Sequence, residues 1–248
     1  MTKDFREEFY KFRDMVRDYK PFALSRCNDG EYIIMKGEYI NLLNKCNGEF
    51  IFDPNNKEHN KYREKLIESA TYHDDNYIVG IGCRCCLGDN DHEDLKKMTT
   101  LDEDNLSFGN VFVNSNFPLF INEMLPLFSR DNMKIIIVTN EKANINNLPF
   151  SKNIVKHYKI GTNAWMNDYH LIDEMKSYTQ DNNIENYIFL FCAGPFSNIL
   201  IHECFKSNNN NEFIDLGSTL DTFLFENGAG YTRGYHCGAA TLYKICIW

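Results

Sequence analysis

Phe5, Phe9, Phe12, Val16 and Tyr19 recur at intervals of four, three, four and three, which predicts an amphipathic helix over residues 3–19, ended by Pro21. The next apolar run, residues 22–25, is short enough for a buried strand, and residues 31–36 read as a helix after it. Tyr62, Leu66, Ile67 and Ala70 share one face of a helix expected over 58–72. Further strands are expected at 77–81, 111–113, 134–138, 154–160, 187–191 and 213–216. Helices are expected at 118–128, along Trp165, Tyr169, Ile172 and Met175, and from Pro195 to about Phe205. The acidic stretch 89–104 and the Gly- and aromatic-rich stretch 227–248 carry no assignment.

Continuous apolar strands alternating with amphipathic helices are what a parallel sheet buried on both faces requires, because each crossover lays a helix over the sheet. The expected fold class is therefore α/β, a Rossmann-like, mostly parallel sheet with helices on both faces. Residues 1–248 are expected to form a single domain, since no repeat or linker interrupts the pattern.

Composition narrows the partners. The chain has 248 residues, 43% of them hydrophobic, enough for one large core. A net charge of −9 with dispersed Lys and Arg argues against nucleic acid and against an anionic membrane surface. No apolar stretch is long enough to span a bilayer, and the charged first twenty residues do not resemble a signal peptide, so a cytoplasmic location is expected. Nine cysteines, an odd number, then read as reduced thiols. Cys83, Cys85 and Cys86 cluster, but a zinc site usually draws on two separated pairs, and the sequence offers no second pair; buried or loop thiols are the default. Oligomeric state is not legible.

Asp29-Gly30-Glu31 is the strongest lead to chemistry. It follows an apolar strand and opens a helix, so its two carboxylates can face one divalent ion, while Gly30 lets the backbone approach a ligand closely. The plain alternative is a turn with a helix cap. Ala193-Gly194-Pro195 also follows a strand. The helix it opens, with Pro195 early and Ser197 nearby, can offer backbone N–H groups to a phosphate or sugar hydroxyl, or serve as an ordinary turn. Trp165 and Tyr169, one helical turn apart, suit stacking on a sugar or base, and more commonly suit a core.

Arg26-Cys-Asn28-Asp29-Gly30-Glu31, with Phe191-Cys-Ala-Gly194-Pro195 and Phe213-Ile-Asp-Leu-Gly217 later in the same order, resembles the GT-D class of glycosyltransferases, a domain formerly catalogued as of unknown function. The resemblance implies a Rossmann-like fold, a nucleoside diphosphate sugar donor, typically a UDP-sugar, a glycan or glycoprotein acceptor, and Mn²⁺ or Mg²⁺ near the Asp-x-Glu pair. Carried over residue by residue, Asp29 and Glu31 would hold the metal and the donor diphosphate. Arg26, Asn28 and Gly30 would lie beside them, with Gly194, Pro195 and Ser197 across the site. After the Ile-Asp-x-Gly element the family continues into His-x-Asp, whereas this chain reads Ser218-Thr-Leu-Asp221 and then Glu226. The histidine is missing, and Asp221 and Glu226 stand as the candidates for a catalytic base. Two other readings remain open. One is a methyltransferase or dehydrogenase, for which Gly80-Ile-Gly82 begins a dinucleotide fingerprint that Cys85 breaks. The other is an inactive nucleotide-sugar-binding module.

Overall fold

The first helix, α1 (Phe5–Arg17), starts where the Asp4 side chain accepts hydrogen bonds from the N–H groups of Arg6 and Glu7. Its Phe5, Phe9, Phe12 and Val16 are buried, as their spacing predicts. Arg130 closes its other end, donating from Nη1 to the Arg17 carbonyl and from Nη2 to the Val16 carbonyl at 2.8 Å each. The computed structural model describes residues 2–44, 49–225 and 242–248.

Seven strands form one sheet: β1 (Phe22–Cys27), β4 (Tyr77–Ile81), β5 (Leu106–Phe108), β6 (Ile135–Asn140), β7 (Ile154–Ile160), β8 (Ile188–Phe191) and β9 (Glu212–Asp215). Their order is β5-β4-β1-β9-β8-β6-β7, and every pairing is parallel. Strands β2 (Ile40–Asn41) and β3 (Ile51–Phe52) make a separate antiparallel pair. Helices α2 (Asp29–Lys36), α3 (Lys57–Ala70), α4 (Arg84–Leu87), α5 (Asp89–Thr99), α6 (Phe117–Leu119), α7 (Ala164–Asn167), α8 (Leu171–Asp181), α9 (Pro195–Ser207) and α10 (Asp221–Leu224) complete the regular structure.

Strand alternation sends neighbouring side chains to opposite faces, and both faces are covered. Phe22 of β1 meets Phe12 of α1, while Ser25, three residues on, accepts a hydrogen bond from Asn198 of α9. On the α9 face Phe205 packs against Tyr77 and Phe213; on the α1 face Phe5 meets Phe108 edge-on. The expected α/β, Rossmann-like parallel sheet is the fold observed.

Departures from the expected elements have local causes. Val111–Val113 is buried but lies in turns, and the edge strand is β5 just before it. There the Asn116 amide donates to the Phe5 and Val111 carbonyls, taking the place of ladder partners. The helix expected over 118–128 divides into α6, a π turn (Phe120–Met124) and a 3₁₀ segment (Leu125–Ser129), because Pro126 has no N–H to continue an α ladder. Helix α5 occupies much of the unassigned acidic stretch and buries His92, Leu95 and Thr99 on one face. The helix expected along Trp165 to Met175 breaks into α7 and α8 at Asp168, whose carboxylate accepts from the Gly161 N–H at 2.8 Å.

Candidate functional site

Five strand ends open into one cleft of about 390 Å³ at the carboxyl edge of the sheet. Strand order explains the opening. The chain leaves β1 towards β4 and β5, then returns on the far side of β1 to build β6, β7, β8 and β9, so the crossovers diverge beside β1.

The β1 end supplies the acids. Asn28 sits at the N-cap position of α2, followed by Asp29 and Glu31 in its first turn, and all three line the cleft. Asp29 is exposed, whereas Glu31 is buried and accepts from the Asn28 N–H at 3.0 Å through Oε2. Burial first, then the proximity of Asp29 and Asp215, pushes the Glu31 carboxyl up to about 7. Gly30 meets the ring of Phe50, where a Cβ would lie 2.9 Å from Cζ, so the absent side chain brings the β2–β3 hairpin down onto the turn.

Arg26, at the other side of the turn, is buried at the end of β1 with its Nε 3.6 Å from Asp215 Oδ2. Nε has no hydrogen-bond partner among the described residues, and Asn28 Oδ1 is likewise buried without one. Asp215 also accepts from the Gly217 N–H at 2.9 Å. Burial raises its carboxyl above the usual range, and the Arg26 guanidinium opposes that rise. Gly217 has φ +50°, and a Cβ there would collide with the Arg26 guanidinium, so glycine is needed on both counts.

Across the cleft, Gly194 (φ +54°) is exposed between β8 and α9, and Asp221 lines the wall at the start of α10. Pro195 and Ser197 do not reach the cleft. Pro195 is buried in the first turn of α9, and the Ser197 hydroxyl accepts from the Ala193 N–H at 3.0 Å, which closes the strand-to-helix turn from behind. Glu226 lies outside the described residues. Cys192, also in the lining, has its thiol pushed well up by burial and then by Asp221 and Asp215, which keeps it protonated.

Sequence reasoning missed three contributors. Asp215 was in plain view within the 213–217 element, at a strand end. Thr139 and Asn140 line the cleft from the end of β6, where a polar pair closes an otherwise apolar run. The hairpin contributes Ile40, Leu42, Glu49 and Phe50, tied to the far wall by Asn163, whose N–H donates to the Glu49 carbonyl and whose Oδ1 accepts from the Ile51 N–H. Trp165 and Tyr169 are core residues: Trp165 is buried against Phe50, Phe52 and Tyr62, and Tyr169 packs on Tyr62 and Phe196. The Gly80-Ile-Gly82 element is likewise structural, since a Cβ at Gly80 would press on Gly109 backbone at 3.1 Å.

The donor set of the cleft is hard oxygen, suited to Mg²⁺ or Mn²⁺. Among the described residues its acids do not close into a trio with all oxygens within 4.8 Å of one another, so a cation held here would take protein oxygens from fewer groups and the rest from water or ligand. No helix among the described residues is long and apolar enough to cross a membrane.

No protein-family model matches the chain, and no curated protein matches it by sequence. Two solved structures share its architecture. One, described as a selenomethionine-substituted structure of domain of unknown function 1792, superposes with a TM-score of 0.56 at 15% identity, covering 97% of this chain and 88% of its own. The other, described as showing that this highly conserved domain has a distinct glycosyltransferase fold, gives 0.57 at 16% identity, covering 95% and 87%. At these identities the likeness is one of fold alone.

Proposed function

We propose that the protein transfers a sugar from a nucleoside diphosphate sugar, typically a UDP-sugar, to a glycan or glycoprotein acceptor, with Mn²⁺ or Mg²⁺ bound by Asp29 and Glu31. The observation that carries this reading is the convergence of Asp29, Glu31, the Arg26–Asp215 pair and Asp221 on one cleft at the carboxyl ends of the strands.

In sugar transfer, negative charge grows on the leaving diphosphate while the sugar ring becomes oxocarbenium-like. A bound divalent cation supplies Lewis-acid stabilisation of that charge. Glu31, held by the Asn28 N–H and crowded by Asp29 and Asp215, is an acid whose ionised form a cation would favour. Arg26 presents a guanidinium whose Nε has no hydrogen-bond partner among the described residues, a donor suited to a phosphate oxygen. Asp215 fixes that guanidinium in place. The exposed backbone at Gly194 leaves room for a sugar hydroxyl, and Phe50 with Leu42 offers an apolar wall. Asp221, on the same wall, is the candidate to take the acceptor proton.

Thermal shift with UDP, GDP, NAD and S-adenosylmethionine, each with and without Mn²⁺, tests this reading. UDP is expected to raise the melting temperature only with metal, and Asp29→Asn with Glu31→Gln to abolish the shift. Metal-independent stabilisation by NAD or S-adenosylmethionine would overturn it.

A further inference from the structure

The carboxyl end of β4 carries a second cluster of chemistry that the cleft does not use. Cys83 is the N-cap residue of α4, Cys85 and Cys86 lie in its single turn, and Cys246 arrives from the far end of the sequence. All four sulfurs lie within 4.8 Å of one another. Cys83 Sγ is 3.3 Å from Cys85 Sγ, which is 4.0 Å from Cys86 Sγ. A tetrahedral zinc with bonds of about 2.3 Å to sulfur sets its ligands about 3.8 Å apart, so the observed spacings bracket that edge. Clusters of several irons need wider separations than these.

We propose that Cys83, Cys85, Cys86 and Cys246 form a structural zinc site that clamps residues 242–248 to the carboxyl end of β4. The fourth ligand missing from the local sequence is supplied some 160 residues later.

Two features point at the sulfurs. Asn114, buried and held at φ +56°, aims Nδ2 at Cys246 Sγ at 3.2 Å and at Cys86 Sγ at 3.7 Å, and Asn110 Nδ2 lies 3.7 Å from Cys83 Sγ. Amide donors aimed at sulfur favour thiolates, and outer contacts of this kind orient metal ligands. Lys244 lies beside Cys86, placing a cation against what would be a doubly negative zinc tetrathiolate.

The segment being clamped is already laid in place. Its side chains alternate, with Cys246 and Trp248 buried and Tyr243, Ile245 and Ile247 exposed. Its backbone is bonded on two sides, from the Arg84 N–H to the Ile247 carbonyl at 3.0 Å and from the Ser115 N–H to the Lys244 carbonyl at 3.1 Å. Trp248 anchors the end, edge-on to Phe108 and His92, with Nε1 donating to Glu103. Cys86 and Asn114 also line a small pocket of about 170 Å³ shared with Asn28 and Asp29, so the clamp borders the acidic turn without belonging to it.

The test is metal content of the full chain, purified in reducing buffer without chelator. Elemental analysis is expected to find about one zinc per chain, and cobalt exchanged into it to show sulfur-to-metal charge-transfer absorption with the visible bands of a tetrahedral site. Cys246→Ser should lose the zinc and the hydrogen-exchange protection of residues 242–248. Asp29→Asn with Glu31→Gln should keep both, which separates this site from the cleft. If Cys246→Ser does not fold, the cobalt spectrum of the unmodified chain still decides. A chain that takes up neither zinc nor cobalt, thiols that all react freely with a disulfide reagent, or an intact mass showing Cys246 in a disulfide would overturn the proposal.

Discussion

The two ends of β9 handle a buried carboxyl group in opposite ways. Asp215, at the carboxyl end, has a guanidinium 3.6 Å away and a backbone N–H at 2.9 Å. Glu212, at the amino end and equally buried at 4% exposed, leaves Oε2 with no hydrogen-bond partner among the described residues. Burial pushes Glu212 up to about 9, with Arg130 only partly offsetting it, so it is a neutral acid near pH 7. The carboxyl edge of a parallel sheet is where strands give way to turns, which supply free N–H groups and a neighbouring strand's terminal side chain. A buried carboxyl group therefore finds a guanidinium and a backbone N–H at one end, and stays neutral and unpartnered among the described residues at the other.

Removing the cation should expose this contrast most strongly. Arg26→Met leaves Asp215 buried without its partner and should cost about 3–5 kcal/mol in denaturant unfolding. Adding Asp215→Asn should restore most of that loss, and failure to do so would mean the pair is not what holds the carboxyl end together.

The next largest effect is in the pH dependence. Glu31 at about 7 and Glu212 at about 9 both lie above their unfolded-state value, so the folded state binds the extra protons. Stability should then fall as pH rises from about 4.5, with the Glu31 share complete near 7 and the Glu212 share near 9. For Glu31 this amounts to up to about 3 kcal/mol. Glu31→Gln should flatten the slope between pH 5 and pH 7, and Glu212→Gln should raise the melting temperature at pH 8 but hardly at pH 4. If a cation binds at the acidic turn, saturating Mn²⁺ should erase the Glu31 share alone, because a dication favours the ionised carboxylate; an unchanged slope would sever Glu31 from metal binding.

Gly217→Ala should cost about 1–3 kcal/mol, from its positive φ and the collision with Arg26. Asp29→Asn should change stability least, by a few tenths of a kcal/mol at an exposed helix start. It should nonetheless remove any Mn²⁺-dependent shift with UDP, and a large stability loss instead would mark Asp29 as a structural residue.

Much of this was legible in the chain. The spacing of Phe5 to Val16, the run Ile135–Val138 and the run Ile188–Phe191 record local periods, and local periods are set by backbone geometry that a sequence writes directly. The Asp29-Gly30-Glu31 turn and the Gly194 turn were legible for the same reason: each is a strand end followed at once by a helix start. Val111–Val113 was misread because burial without a ladder looks the same in sequence as burial within one.

Tertiary structure alone decided which strand ends meet. Strands buried along their whole length carry no mark of their neighbours, so nothing in the string placed β1 between β4 and β9, and that order is what sets Arg26 against Asp215. It also seats Phe50 on Gly30 and carries Cys246 to Cys83, Cys85 and Cys86. A sequence specifies each segment's own shape through short-range sterics and hydrogen bonding. The convergence of distant side chains depends on how the whole set of buried faces packs, a property no single segment holds.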